Sequence, residues 1–147
     1  MSASRRSPGG RWLFKADPAD YSIDDLAHAP GATTRWDGVR NAEARNLLRD
    51  RVRAGDLGFF YHSNAKPMAI VGIVEIVRAG YPDPADPKWF LVDLKFVRRL
   101  ERPVTLDEIK RVRALADMAL VKRGRLSVQP VAAAEWDAIL ALARKPA

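Results

Sequence analysis

The 147-residue chain contains no cysteine and only two histidines, His28 and His62. Disulfide staples, thiolate nucleophiles and the Cys/His clusters of structural zinc sites are therefore excluded, and no metal or other cofactor is expected. Long apolar runs are missing as well, none approaching the roughly 20 residues that span a bilayer, so no membrane partner is expected. Residues 1–10 hold Arg5 and Arg6 among Pro8, Gly9 and Gly10, with no apolar stretch behind the charges. This is not the pattern of a secretory signal and reads as a disordered basic tail. With no export signal and no cysteine framework, a cytoplasmic location is the expectation.

Acidic residues are in the minority, 18 against 25 Lys and Arg, giving a formal charge of +7. Such a chain concentrates near polyanions by long-range attraction, and nucleic acid is the first partner to consider. Hydrophobic residues at 48% supply enough apolar surface for one core over residues 11–147, and nothing in the sequence marks a linker to a second domain.

The densest chemistry lies in Trp36-Asp37-Gly38-Val39-Arg40-Asn41. An indole can lie against a planar ring, an amide offers both a donor and an acceptor, a guanidinium can hold an anionic oxygen, and glycine permits a tight turn. Two readings stay open: the loop recognises a planar polar ligand, or Trp36 is core and Asn41 only caps the helix that follows. That helix, expected over residues 42–53, turns Ala44, Leu47, Leu48 and Val52 inward. Arg45, Arg49 and Arg53 recur every four residues on its other face. They make either a solvated stripe or a ridge that tracks phosphates.

Elsewhere the periodicities predict strands at residues 11–15, 57–62, 69–78, 89–100 and 126–131. In the second of these Leu57, Phe59 and Tyr61 face one way, and Phe60 and His62 the other. Gly72 marks a bulge or a close backbone approach in the third. Ser22 with Asp25, and Thr105 with Glu108, look like capping boxes opening short helices. The three prolines of residues 81–87 predict a stiff loop. Lys122 to Arg125 is a basic turn, and a poorly capped helix over residues 132–144 buries Trp136 and Ile139. Trp12 and Trp89 are assigned to the core with Trp136. Strands and helices mixed without regular alternation indicate an α+β or small-barrel architecture.

Segments spread over residues 11–143 resemble the EVE domain, a member of the PUA-like superfamily related to the YTH domain that reads methylated adenine in RNA. They include Trp12-Leu13-Phe14-Lys15, Tyr21-Ser22-Ile23-Asp24-Asp25-Leu26, Trp36 to Asn41, Phe60-Tyr61-His62-Ser63, Tyr81-Pro82-Asp83-Pro84 and Arg125-Leu126-Ser127-Val128-Gln129-Pro130. The chain departs from the family's Lys-Ser-Glu-Pro pattern, having Lys15-Ala16-Asp17-Pro18. The resemblance implies a mixed-strand pseudo-barrel with flanking helices. It also implies a pocket that accepts a modified base flipped from DNA or RNA, with Lys15, Trp36, Asn41, Tyr61, His62, Ser63, Ser127 and Gln129 at the matching positions. Stacking on Trp36 or Tyr61 would contribute about 1–3 kcal/mol. Arg40, Arg45, Arg49, Lys122, Arg123 and Arg125 are the candidates for the flanking phosphates.

The expected function is thus a noncatalytic, monomeric reader of a modified base. Two alternatives stand beside it. One is a sensor of a small ligand or nucleotide. The other is a nucleotide hydrolase with His62 as general base, oriented by Asp37 or Asp17, although no nucleophile elbow, phosphate-binding glycine loop or metal cluster accompanies it.

Overall fold

The computed structural model describes residues 10–37, 39 and 41–146. The basic tail, apart from Gly10, and the loop positions Gly38 and Arg40 lie outside the described residues.

Six strands form one mixed sheet: β1 (Arg11–Ala16), β2 (Thr33–Trp36), β3 (Leu57–His62), β4 (Ala69–Asp83), β5 (Asp86–Thr105) and β6 (Val128–Pro130). Among the described residues five α-helices flank it: α1 (Ile23–Ala27), α2 (Ala42–Asp50), α3 (Leu106–Lys110), α4 (Ala119–Lys122) and α5 (Ala133–Ala143). The spatial order is β2-β5-β4-β3-β1-β6, and the outer strands β2 and β6 do not pair, so the α+β fold is not a closed barrel. One pairing is parallel, β1 with β3, running from Arg11 opposite Leu57 to Ala16 opposite His62. Both strands therefore deliver their C-terminal ends to the same margin of the sheet.

Strand alternation divides the interior into two cores. Trp12, Phe14, Phe60, Val74, Ile76, Val92 and Leu94 face α1 and α2, meeting Ile23, Leu26, Ala44 and Leu48. Leu13, Phe59, Tyr61, Ile73, Leu100 and Val104 face α3 to α5, where Phe59 stacks on Trp136 at 3.9 Å between ring centroids. Each fully buried Leu or Phe contributes about 1.5–3 kcal/mol to this arrangement. The alternation expected for residues 57–62 is the one observed.

Local signals explain several element ends. Ser22 Oγ accepts the N–H of Asp25 while Asp25 accepts that of Ser22, the complete capping box of α1. Thr105 caps α3, but Glu108 does not return the bond: its carboxylate is held by Arg102. Ala132 has no side-chain acceptor for α5, and Glu135 supplies half a box by accepting the Ala132 N–H.

Three expectations need correction. Helix α2 stops at Asp50 rather than residue 53, because the Arg53 N–H bonds to buried Asp56, which draws the chain off the helical path. Residues 81–87 are not a loop: β4 continues to Asp83, with Pro82 in register with Phe90. Proline is tolerated there because β3 pairs with β4 only as far as Glu75, which leaves the distal part of β4 bonded on the β5 side alone. Trp89 is half-buried rather than core, with Arg45 and Lys88 each less than 6 Å from its ring.

Gly72 fulfils both readings made of it. The β3–β4 register slips beside it, and a Cβ there would stand 2.9 Å from the Arg98 carbonyl.

Candidate base-binding cleft

The exit of β1 and the end of β2 enclose a cleft of about 520 Å³. Ala16, Asp17, Asp20 and Tyr21 line one wall, and Thr34, Arg35, Trp36 and Asp37 the other. Asp17 organises the first wall. Its backbone carbonyl accepts from the N–H groups of Asp20 and Tyr21, while its carboxylate accepts from Ala19 N–H and from the Asn64 amide at 3.2 Å. The turn after β1 is thereby tied to the turn after β3.

Trp36 answers to both readings of its loop. It meets Phe14, Tyr21 and Phe60 edge to face at centroid distances of 6.3, 6.2 and 5.7 Å, yet remains half-exposed and forms the cleft wall. Three perpendicular rings fix the indole plane and leave part of it for a ligand. Asn41 is the N-cap of α2, its Oδ1 accepting the Ala44 N–H at 2.9 Å.

The parallel β1–β3 pair brings several sequence candidates together. Ser63 N–H donates to the Ala16 carbonyl, and Lys15 N–H donates to the Ser127 carbonyl. Lys15, His62, Ser63 and Ser127 therefore gather at one end of the sheet. The Lys15 ammonium donates to the Gly124 carbonyl at 2.8 Å, and partial burial pulls its pKa below the ordinary 10.5. His62 Nε2 accepts the backbone N–H of Ile23 at 3.1 Å. Burial lowers its pKa from 6.5, with the nearby Asp24 carboxylate opposing in part.

Two candidates are placed otherwise. Tyr61 is 2% exposed in the second core, where burial pushes its phenol up to about 12. Gln129 is fully buried, and its amide nitrogen donates to the carbonyls of Arg123 and Leu126, bracing the turn that Lys15 also grips. Its amide oxygen has no hydrogen-bond partner among the described residues.

The proposed phosphate ridge is partly spent on neighbours. Arg49 forms a bidentate pair with Asp50, Arg123 pairs with Glu43, and Lys122 lies 3.8 Å from Asp117. Arg45 sits over Trp89, while Arg125 is exposed and makes no ion pair among the described residues. Arg40 lies outside the described residues.

Sequence reasoning missed Tyr21, Asp20, Thr34 and Arg35. Tyr21 stands beside Ser22, whose capping signal explained the segment without it. Nothing in the spacing of residues 33–35 shows which strand they join.

Residues 10–142 match the EVE domain family. Thymocyte nuclear protein 1 of Mus musculus is 40% identical, over 89% of this chain and 72% of its own length. The crystal structure of human THYN1 protein in complex with 5-methylcytosine-containing DNA superposes with a TM-score of 0.89 at 36% identity, covering 95% of this chain and 100% of that one. The YTH domain of Zygosaccharomyces rouxii MRB1 shares the fold at 16% identity, with a TM-score of 0.59, over 95% of this chain and 87% of that one.

Proposed function

The chain belongs to the EVE domain family, and from that premise we propose that it is a noncatalytic, monomeric module that takes a modified base, flipped from a DNA or RNA strand, into the cleft beside Trp36. The observation that carries this reading is the composition of the cleft: an indole held edge-on by three rings beside three carboxylates and one guanidinium. Three carboxylates repel a phosphate. They suit the exocyclic amine of a base such as cytosine, whose N4 donates to Asp or Glu.

The similar human protein was crystallised with DNA containing 5-methylcytosine, which agrees with an amine-bearing, methylated base. Stacking supplies about 1–3 kcal/mol whatever the base. A methyl group against the aromatic wall adds about 1 kcal/mol, enough for preference and not for absolute selection. In this reading Lys15, His62, Ser63 and Ser127 form the rim, Asn41 sets the start of α2, and Tyr61 and Gln129 support from below. Arg45, Lys122 and Arg125 are the cations that this reading assigns to flanking phosphates. His62 is no free base, since its Nε2 lone pair already serves α1. A cytoplasmic location is part of the same proposal and rests on the sequence alone.

Binding to matched oligonucleotides, plain and carrying 5-methylcytosine or N6-methyladenine, tests the reading. Trp36→Leu keeps apolar contact with Phe14 and Phe60 but removes the indole face, and affinity for the modified strand should fall about 5- to 150-fold. Unchanged, modification-dependent affinity in a folded Trp36→Leu protein would sink the proposal. A free modified nucleoside that binds as tightly as the oligonucleotide would favour a small-ligand sensor.

A further inference from the structure

Three residues stand in a row across β2, β5 and β4. Asp93 is in register with Arg35 on one side and with Arg78 on the other, so one carboxylate separates two cationic side chains. It is in no ion pair among the described residues. Instead, Tyr81 Oη donates to Asp93 Oδ1 at 2.5 Å, and the Arg78 guanidinium sits 3.7 Å from the centre of the Tyr81 ring. Arg35 and Arg78 are exposed and also make no ion pair among the described residues, in contrast to Arg49 and Arg123.

These residues line a second, open cleft of about 530 Å³, with Pro82 and Pro84 in its wall, and Arg35 belongs to both clefts. The two have opposite character. The first is acidic, with three carboxylates to one guanidinium. The second holds two guanidiniums and one carboxylate, and that carboxylate is occupied by a phenol. Burial and the Asp93 carboxylate push the Tyr81 phenol up to about 12, so it stays neutral at physiological pH and adds no negative charge.

We propose that the second cleft receives the phosphodiester adjoining the base held in the first, with Arg35 and Arg78 donating to its non-bridging oxygens. The strand then crosses Arg35 toward the β4–β5 hairpin, and the sign of each cleft sorts base from backbone. Phosphodiester chemistry is common to DNA and RNA, so these contacts add affinity without reading sequence or modification. The proposal rests on the base-binding reading of the first cleft.

The test is the salt dependence of binding to DNA and RNA oligonucleotides, plain and carrying 5-methylcytosine, for the unaltered protein, Arg78→Gln, Arg35→Gln and a charge-matched control, Arg144→Gln, whose side chain pairs with Glu101. The expected result is that Arg78→Gln and Arg35→Gln each reduce the slope of log K against log salt by about 1. Arg78→Gln, which lies outside the first cleft, should also weaken plain and modified strands by the same factor, leaving their ratio intact, while Arg144→Gln changes neither slope nor ratio. Equal effects on DNA and RNA identify the shared phosphate, and an effect confined to one names the polymer. If the unaltered protein binds and Arg78→Gln keeps the full slope, the second cleft is off the strand's path and this inference falls alone. If the unaltered protein binds no oligonucleotide, the base-binding reading falls and takes this one with it.

Discussion

His62 closes the first turn of α1: its Nε2 accepts the N–H of Ile23 at 3.1 Å, across the margin where β3 ends. An imidazole that accepts through Nε2 carries its proton on Nδ1, and protonation removes the lone pair the helix uses. Burial lowers the pKa of His62 in the folded protein below the ordinary 6.5. Because the folded value is the lower one, the stabilisation is complete above about pH 6.5 and is lost as pH falls from there through the folded pKa. Chemical denaturation between about pH 7.5 and pH 5 should show stability declining in the unaltered protein, and a shallower decline in His62→Gln.

Asp56 is a buried hub that no local pattern announces. Its carboxylate accepts the backbone N–H groups of Gly10 and Arg53 and the indole N–H of Trp12, each at 2.9 Å. Asp56→Ala strands three donors and should cost about 2–4 kcal/mol, read as a fall in Tm with a shift in tryptophan emission. A change below about 0.5 kcal/mol would mean that water replaces the carboxylate without penalty.

Gly80 lies where the backbone of α2 rests on β4. A Cβ there would stand 2.1 Å from the Leu48 carbonyl oxygen, so Gly80→Ala must lift the helix. Destabilisation of about 3 kcal/mol is expected, together with weaker oligonucleotide binding, since α2 follows directly on the Trp36 loop. Ala at Gly124, where a Cβ meets nothing within 4 Å, is the comparison that should leave stability nearly unchanged.

Arg102 ties β5 to the end of α5. Its guanidinium grips both oxygens of Glu108 and donates to the carbonyls of Leu142 and Lys145. Lysine cannot reproduce this planar set of donors, so Arg102→Lys should lower the midpoint of thermal or chemical unfolding. The Arg102 bond also holds the Glu108 carboxyl below the ordinary 4.5. That contribution is full above about pH 4.5 and fades as pH falls through the folded value, a loss that Arg102→Lys should blunt.

What the sequence disclosed follows from the range of the forces involved. The Ser22–Asp25 box and the alternation of residues 57–62 are written in neighbours a few positions apart, and both stand in the structure. The parallel pairing of β1 with β3, the bonds from Gly10 and Trp12 to Asp56 and the clearance at Gly80 depend on partners more than thirty positions away, and no short-range pattern encodes them. The candidate site divides along the same line. Trp36, the last residue of β2, was visible because a tryptophan directly before the turn-rich residues 37–41 is unusual in itself. Tyr61 shares a segment with His62, but the two-residue period of a strand turns it toward the second core, and Gln129 is buried because its amide braces the turn of residues 123–126, which no spacing announces. Arg35 and Arg78 meet only through Asp93, a contact made by sheet order and not by spacing.

Because β1 lies between β3 and β6, the strand made early in synthesis is flanked on one side only until residues 128–130 leave the ribosome. The backbone bond from the Lys15 N–H to the Ser127 carbonyl closes at that late moment. A nascent or truncated chain lacking the last strand would leave Trp12, Leu13 and Phe14 along an unpaired edge. β6 is thus the strand that closes this side of the sheet, and a product that stops before it presents an edge open to pairing with another chain.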